Sequence, residues 1–455
     1  MAKKQLFGTD GIRTKANVYP LTPETSAVIG RAITRWFRAQ KPTPQITAAI
    51  GTDTRISSQM LSFAVSSGIM SAGGNVIDLK VVPTPVVSDF VRTHGCDFGI
   101  VISASHNPFG DNGIKIFNEN GSKLNDAQEL EIEALFFDDQ NIEKPVDALI
   151  GRAFAASSPT SEYIERLRTR FAALSGSNFK ICVDCANGAT AEVAKGIFGK
   201  FDNLSVDYNF CEPNGLNIND NCGALHPEVL AARVAERKAD IGFALDGDGD
   251  RLITIDERGR VVDGDKLIGI LAKHLDRLGK LNKRTVAVTV MTNSGLEKHL
   301  RECGIAVART DVGDRYLFEK ISAEGLALAG ENSGHIIIPE INPTGDGIIA
   351  ALVLLEILSE TGKRLSELAD GIELFPQIQV KVKIPGEKIP LEKIPGLLDK
   401  ISAEEALLSG GRMLVRYSGT EPVMRVMAEG PDKAAVQKSV DEVAEFVENF
   451  YGGNR

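Results

Sequence analysis

Phe98-Gly99-Ile100-Val101-Ile102-Ser103-Ala104-Ser105-His106-Asn107-Pro108 is the stretch around which this chain is organised. Its first five residues form an apolar run of the length of a buried strand. The run then breaks into small and polar residues and stops before Pro108, which cannot continue a ladder. In an α/β sheet the carboxyl ends of the strands face the ligand crevice, which presents Ser105 to a bound molecule. Taken alone, S-x-S-H-N-P reads equally well as a turn whose serines satisfy backbone groups. The segments on either side decide between the two.

Upstream, Thr22-Pro23 fits a helix start, with Thr as N-cap and Pro at the first helical position, leading into a helix over 24–39 with Trp36 in the core. A strand over 46–51, a helix over 57–72, a strand over 76–79 and a helix over 85–93 follow. Downstream, 113–117 reads as a strand and 126–138 as an acidic amphipathic helix. Residues 140–158 lose that periodicity and carry Pro145 and Ser157-Ser158-Pro159, so a boundary is expected at 155/156. Residues 156–256 form a second unit, with a helix over 160–173 and strands over 179–184, 204–208 and 240–245. Residues 257–370 repeat the theme with helices over 265–278, 294–303 and 346–359 and strands over 285–290 and 305–309. The final stretch, 371–455, has strands near 377–384, 412–417 and 423–429 and helices over 391–402 and 432–449. The expected fold is three similar α/β domains with mixed or parallel sheets, followed by a C-terminal α+β domain.

Bulk properties narrow the function. At 455 residues the chain exceeds one core. A formal charge of −10 argues against a nucleic-acid binder, which would carry a basic stripe. Any anionic ligand must therefore be held by a local cluster of arginines and backbone N–H groups. No apolar run approaches the ~20 residues of a membrane span, and Met1-Ala2-Lys3-Lys4 leads into no signal-peptide core. Six scattered cysteines fit a reduced, cytoplasmic protein.

Asp246-Gly247-Asp248-Gly249-Asp250-Arg251 is the most specific local signal. In extended backbone alternate residues point the same way, so three carboxylates converge while the glycines let the chain bend. Hard oxygen donors suit Mg²⁺ or Ca²⁺. An EF-hand is excluded because its sixth-position glycine is Arg251 and the flanks read as strands. A plain acidic turn is the alternative, but uncompensated carboxylates repel one another. Mg²⁺ prefers a protein cage completed by phosphate oxygens, so a phosphate is expected nearby.

Arg416-Tyr417-Ser418-Gly419-Thr420-Glu421-Pro422, followed by Arg425, fits an anion site, with hydroxyls, a flexible backbone and two arginines on flanking strands. An ordinary surface hairpin is the other reading. Gly330-Glu331-Asn332-Ser333-Gly334-His335 gathers acceptors and donors suited to sugar hydroxyls, although His335 alone would more often be structural. Phe7-Gly8-Thr9-Asp10-Gly11-Ile12-Arg13 is another glycine-punctuated loop ending in a cation, and Lys115 is a candidate general acid or base. Cys182-Val183-Asp184-Cys185 is no metal site, since residues three apart on a strand face opposite sides and no second pair exists. A Ser105–His106 nucleophile–base pair is disfavoured because sequence neighbours on an extended chain point apart. Phosphoryl transfer, which needs mainly positioning and charge neutralisation, fits these residues better.

Together the motifs FGTDGIR (7–13), ISASHNP (102–108), DCANGA (184–189), DGDGDR (246–251), VGDRY (312–316), GENSGH (330–335) and RYSGTEP (416–422) resemble the α-D-phosphohexomutase superfamily, and within it the bacterial phosphoglucosamine mutases. The likeness runs nearly end to end and implies four domains around a central cleft. It implies that Ser105 is the phosphorylated serine and that Asp246, Asp248 and Asp250, with a phosphoserine oxygen, hold one Mg²⁺. Lys115, Arg251, His106 and Arg13 complete the expected catalytic set. Glu331, Ser333, His335, Gly313, Asp314 and Arg315 are the expected sugar-reading residues. Arg416, Ser418, Gly419, Thr420 and Arg425 are expected to grip the phosphate that is not transferred. The V-G-D-R spelling at 312–315 is typical of the glucosamine branch. The implied reaction interconverts glucosamine 6-phosphate and glucosamine 1-phosphate through a sugar 1,6-bisphosphate, supplying UDP-N-acetylglucosamine. Its partners would be a small sugar phosphate and a second copy docked through the first domain, with no nucleic acid and no membrane.

Overall fold

The computed structural model describes residues 4–41, 45–139, 144–386, 388–418 and 422–452. Two compact units divide the chain: residues 1–291 with 307–369, and residues 292–306 with 370–455.

The larger unit opens on a six-stranded sheet of β1 (Ile12–Lys15), β2 (Ile46–Thr52), β3 (Gly74–Val81), β4 (Phe98–Ile102), β5 (Asp111–Asn118) and β6 (Ala153–Ala155), in the order β1-β5-β4-β2-β3-β6. Helix α1 (Pro23–Ala39) leads from β1 to β2, and crossover helices α2 (Ser58–Ser71) and α3 (Thr84–His94) make the β4-β2-β3 part parallel. The Thr22 hydroxyl caps α1 by accepting from Thr25 N at 3.3 Å, with Pro23 at the first helical position. Residues 103–110 are too few for a crossover, so β5 returns antiparallel. Its register sets Lys115 opposite Val101, and β1 then sets Arg13 opposite Gly113. Helix α4 (Asp126–Phe137) follows, held by an Asn125/Gln128 capping box. Phe98 stacks on Phe37 with ring centroids 4.7 Å apart, one of many fully buried apolar contacts worth about 1.5–3 kcal/mol per side chain.

After α5 (Pro159–Arg170), strands β7 (Phe179–Asp184), β8 (Leu204–Asn209), β9 (Ile241–Leu245), β10 (Leu252–Asp256) and β11 (Val261–Val262) form a second sheet, ordered β11-β10-β9-β7-β8. Helices α6 (Ala191–Phe198) and α7 (Pro227–Arg237) make its parallel crossovers. Neither is in the expectation drawn from sequence; both are short, at 8 and 11 residues. β9 and β10 form an antiparallel hairpin whose turn is the aspartate loop, with Leu245 opposite Leu252.

Helix α8 (Gly264–Arg277) leads to β12 (Thr285–Thr289). Helix α9 (Ser294–Glu302) packs with the smaller unit. The Asn293 side chain bridges the Phe375 N–H and carbonyl, and Ser294 Oγ bonds Glu429 at 2.6 Å, tying its start to that unit. The chain returns through β13 (Ala306–Thr310), α10 (Asp314–Glu324) and the small pair β14 (Ala329–Gly330) and β15 (Ile336–Ile337), giving a sheet ordered β13-β12-β14-β15. The apolar α11 (Gly347–Thr361) and short α12 (Leu365–Asp370) follow, capped at Asp346 in the case of α11. No described helix is long and apolar enough to cross a membrane.

The smaller unit holds an antiparallel sheet of β16 (Gln377–Lys383), β17 (Arg412–Tyr417) and β18 (Val423–Glu429) with β18 central. It is covered by α13 (Leu397–Glu405) and α14 (Lys433–Gly452). On α14, Val436, Val440, Val443 and Val447 recur at helical spacing and bury against Met424, Val426 and Ala428. The α/β reading with a C-terminal α+β part is the architecture observed. The expected helix over 391–402 is shorter and later, because Pro395-Gly396 delays its start to Leu397.

Candidate active site

Ser105 leaves the end of β4 with φ +51°, a left-handed backbone that costs a non-glycine residue on the order of 1 kcal/mol and persists only where neighbours enforce it. Those neighbours are visible. Ser103 Oγ accepts from Ser105 N at 2.9 Å, and Arg55 Nη2 and Asn219 Nδ2 each donate to the Ser105 carbonyl at 2.9 Å. Arg55, 3% exposed, also reaches the carbonyls of Asn107 at 2.7 Å and Asp111 at 3.2 Å, and that of Pro108. Asp53 fixes the Arg55 guanidinium at 2.8 Å and accepts from Ser103 Oγ at 2.6 Å. The outcome is a serine, 1% exposed, whose Oγ donates to Asp246 Oδ2 at 2.6 Å.

Asp246, Asp248 and Asp250 lie on the β9–β10 turn, all buried, with one carboxylate oxygen from each within 4.8 Å of the others. Gly247 is required at its place: a Cβ there would meet the Ser105 carbonyl at 2.8 Å. Asp248 Oδ2 accepts from Thr84 Oγ1 at 2.6 Å and from Lys115 Nζ at 2.7 Å. Asp248 Oδ1 and Asp250 Oδ1 have no hydrogen-bond partner among the described residues. Buried unpartnered oxygens in a carboxylate triad fit a hard divalent cation, which would use them as ligands. Burial, followed by the Asp250 and Asp248 charges, pushes the Asp246 carboxyl well above the usual range.

Cations surround the triad. Lys115, 1% exposed, lies 2.7 Å from Asp248, 3.0 Å from Asp250 and 3.4 Å from Asp10. Burial alone would discharge it, but Asp10, Asp248 and Asp250 outweigh burial and hold it charged. Arg13 pairs with Asp10 and donates to the Ala104 carbonyl at 3.3 Å, while Lys123 bridges Asp10 and Asp314. His106 Nδ1 sits 3.2 Å from Ser105 Oγ, and burial, then Arg251 and Arg13, press the ring down to about 3, so it is neutral. The Ser105 and His106 side chains therefore do meet, contrary to the expectation for an extended chain, because Ser105 is not extended. Arg251 Nε is 3.9 Å from Asp250 Oδ1 and has no hydrogen-bond acceptor among the described residues.

The GENSGH turn between β14 and β15 packs directly on the aspartate hairpin. Leu252 N donates to the Gly334 carbonyl at 3.0 Å, and Arg251 and His335 form a β-bridge. Gly334 has φ +89°, and a Cβ there would meet the Leu252 carbonyl at 2.2 Å. Glu331 accepts from Gly313 N at 3.3 Å and from Ser333 Oγ at 3.1 Å. His335 lies 3.8 Å from Asp250 and 3.7 Å from Asp314. Burial would keep its ring neutral, but Asp250, Asp314 and Glu331 outweigh it and favour the imidazolium. Arg315 behaves differently from its neighbours: its guanidinium is tied to Glu129 at 2.7 Å and Asp126 at 2.6 Å on α4 and is buried. It braces α10 against the first sheet's helix.

In the smaller unit Arg416 and Arg425 are cross-strand partners on β17 and β18, and Arg425 Nη2 is 3.4 Å from Ser418 Oγ. Two like charges facing each other cost stability unless an anion joins them. Lys388 donates to the Ser418 carbonyl at 2.6 Å. Gly419 and Thr420 lie outside the described residues.

Asp53, Arg55, Thr84, Lys123 and Asn219 are absent from the set read off the sequence. Asp53 and Arg55 were within reach of the rule that found Ser105, since they follow β2 at its carboxyl end. Thr84 and Asn219 carry no signal apart from their partners.

Family models match four successive segments. They are phosphoglucomutase/phosphomannomutase domain I at 4–143, domain II at 161–259, domain III at 263–375 and the C-terminal domain at 378–446. The chain is 43% identical over 455 residues to a phosphoglucosamine mutase of Geotalea daltonii, covering 99% of each. A phosphoglucomutase/phosphomannomutase family protein of Burkholderia thailandensis superposes with TM-score 0.80 at 25% identity, covering 98% of each chain. An N-acetylphosphoglucosamine mutase of Aspergillus fumigatus, solved with GlcNAc-6P and magnesium, shares the fold with TM-score 0.68 at 18% identity, covering 99% of this chain and 96% of that one. The chain belongs to the phosphoglucomutase/phosphomannomutase family of α-D-phosphohexomutases and is an isomerase.

Proposed function

We propose that the chain interconverts glucosamine 6-phosphate and glucosamine 1-phosphate, with Ser105 carrying a phosphoryl group between turnovers. One observation supports this above the others: Ser105 Oγ lies 2.6 Å from Asp246, 141 positions later, inside a buried carboxylate triad. The glucosamine assignment rests on the similarity to phosphoglucosamine mutases over nearly the whole chain.

Asp246, Asp248 and Asp250, with a phosphoserine oxygen, would hold Mg²⁺, which when bound neutralises charge on the group in transfer. A phosphoserine of about −2 charge beside a divalent cation adds close to no net charge to the site, so the pairs around Lys115 need not rearrange. A sugar hydroxyl attacks phosphorus, the P–Oγ bond to Ser105 breaks, the hydroxyl's proton passes to the departing Oγ, and Lys115 and Arg251 supply positive charge beside the transferring oxygens. His106, neutral and 3.2 Å from Oγ, orients the serine. Glu331 and Ser333 bind sugar hydroxyls, with His335, Gly313 and Asp314 around them. Arg416, Ser418, Gly419, Thr420 and Arg425 hold the phosphate that stays. The product of this half is the sugar 1,6-bisphosphate, which turns over and returns its other phosphate to Ser105. Burial of Ser105 keeps water from hydrolysing the phosphoserine between the halves.

The same reading includes the four-domain division at 155/156, 256/257 and 370/371 and a cytoplasmic location. It also includes a homodimer through the first domain, supported by exposed Val146, Leu149, Ile150 and Phe154 beside the edge strand β6. Mass spectrometry of protein incubated with glucose 1,6-bisphosphate and Mg²⁺ tests the carrier: phosphate is expected on the peptide containing Ser105, and Ser105→Ala should end turnover. Unmodified Ser105 in active protein would overturn the mechanism. Faster turnover of mannose 1-phosphate or glucose 1-phosphate than of glucosamine 1-phosphate would overturn the sugar assignment. Inorganic phosphate released as fast as product would make it a phosphatase.

A further inference from the structure

The DCANGA segment takes no part in the chemistry above, yet it props up the metal loop. Its backbone is bent, with Ala186 at φ +53° and Asn187 at φ +47°, and Asp184 holds it by accepting from Ala186 N and Gly223 N, both at 2.8 Å. Ala189 N donates to the Gly247 carbonyl at 2.9 Å, and a Cβ on Gly188 would meet that oxygen at 2.2 Å. The aspartate turn therefore leans on residues 188–189 with no clearance.

Cys185 stands at the root of this prop. Its N–H donates to the Asn209 carbonyl at 3.1 Å, and the Cys211 thiol reaches the same carbonyl at 3.3 Å. The Cys185 N–H and the Cys211 thiol thus meet at one carbonyl oxygen, which sets the two cysteines side by side. Cys185 is buried, whereas Cys211 is half-buried and lines a cavity of about 620 Å³ together with Lys195, Tyr208 and Asn187. Of the six cysteines, Cys96, Cys182 and Cys222 are also buried, and Cys303 is in the smaller unit.

We propose that Cys185 and Cys211 form a peroxide-sensitive pair whose disulfide slows turnover by displacing the aspartate loop. Cys211 is the thiol a peroxide meets first, because it opens on the cavity beside a lysine. Its hydrogen bond from Cys185 and the Lys195 charge, against burial, favour its thiolate, while that same bond and burial keep Cys185 a thiol. The Cys211 thiolate attacks one peroxide oxygen: an S–O bond forms, the O–O bond breaks, and hydroxide leaves, so sulfur is oxidised and peroxide reduced. Cys185 sulfur then attacks the sulfenic sulfur. The S–S bond forms, and the departing hydroxide takes the Cys185 proton as water. Closing the pair to a bond of about 2 Å draws residue 185 toward β8, and the backbone prop carries the shift to Gly247. A displacement of this scale at catalytic ligands lowers turnover on the order of tenfold to a hundredfold.

The test uses full-length enzyme with Mg²⁺ and bisphosphate activator, exposed to millimolar hydrogen peroxide, alkylated and digested. Expected are a linked Cys185–Cys211 peptide and loss of mutase rate, both reversed by dithiothreitol. Cys211→Ser should keep its rate under peroxide, Cys185→Ser should accumulate a dimedone-reactive Cys211, and Cys303→Ser should behave as wild type. Absence of the linked peptide, or equal inactivation of wild type and Cys211→Ser, overturns the proposal. The linked peptide is read by mass alone, so its fate is separable from that of the sugar assignment.

Discussion

Arg55 touches no reacting atom in the proposed mechanism, and replacing it with lysine should nevertheless disable the enzyme. The guanidinium spans Asp53 at 2.8 Å and the carbonyls of Ser105 at 2.9 Å, Asn107 at 2.7 Å and Asp111 at 3.2 Å, besides Pro108. A lysine ammonium keeps the charge but is a compact point donor, and satisfies Asp53 plus at most one or two carbonyls. About two buried carbonyls lose their donors, at roughly 1–3 kcal/mol each, so the serine loop loses on the order of 3 kcal/mol of support for its left-handed Ser105. Asn219 still reaches the Ser105 and Asn107 carbonyls, at 2.9 Å and 3.1 Å, so the loop loosens and does not unfold. If that free energy appears as the population of misaimed serine, kcat falls about a hundredfold. KM should change little, since the residues proposed to read the sugar sit on other elements. The assay is initial rate against glucosamine 6-phosphate, with far-UV circular dichroism to confirm folding. A folded Arg55→Lys protein with kcat within about threefold of wild type, or one altered in KM alone, would refute the reasoning.

Asp248→Asn removes one charge from the triad and should weaken Mg²⁺ binding at least about tenfold in calorimetry, with chelation by EDTA abolishing wild-type turnover reversibly. Arg416→Met removes one of two facing arginines; KM for sugar phosphate should rise roughly tenfold or more, and the thermal midpoint should not fall, because like-charge repulsion with Arg425 is relieved. Burial pushes the Asp346 carboxyl up to about 6, against about 3.9 unfolded. A raised folded value means its stability contribution is complete below the unfolded value and is lost as pH rises through about 6. Wild type should therefore lose up to about 3 kcal/mol relative to Asp346→Asn between about pH 4 and 6, followed by thermal melts.

Most elements were legible because their cues are local. The apolar run 98–102, the cap at Thr22-Pro23 and the hairpin strands 412–417 and 423–429 need no tertiary information. Helices α6, α7 and α10 are not among the expected elements; α10 starts inside the VGDRY motif, at Asp314. The site divides in the same way. Asp246, Asp248 and Asp250 announce themselves by alternation, and Ser105 by its place at a strand end. The resemblance sets Arg315 among the sugar-reading residues, and no local pattern in the sequence encodes the pairing of its guanidinium with Glu129 and Asp126 on α4. Asn219 acts on Ser105 across 114 positions, a contact that no local pattern encodes.

The bridge between Arg251 and His335, with the hydrogen bond from Leu252 to Gly334, splices the turn proposed to read the carbohydrate to the carboxylate turn through main-chain atoms. Tilting either one drags the other. Attempts to retrain this enzyme for another hexose should therefore find tolerated changes at the tips of residues 331 and 333. Remodelling the backbone at 334 would retune selectivity only by detuning the chemistry with it.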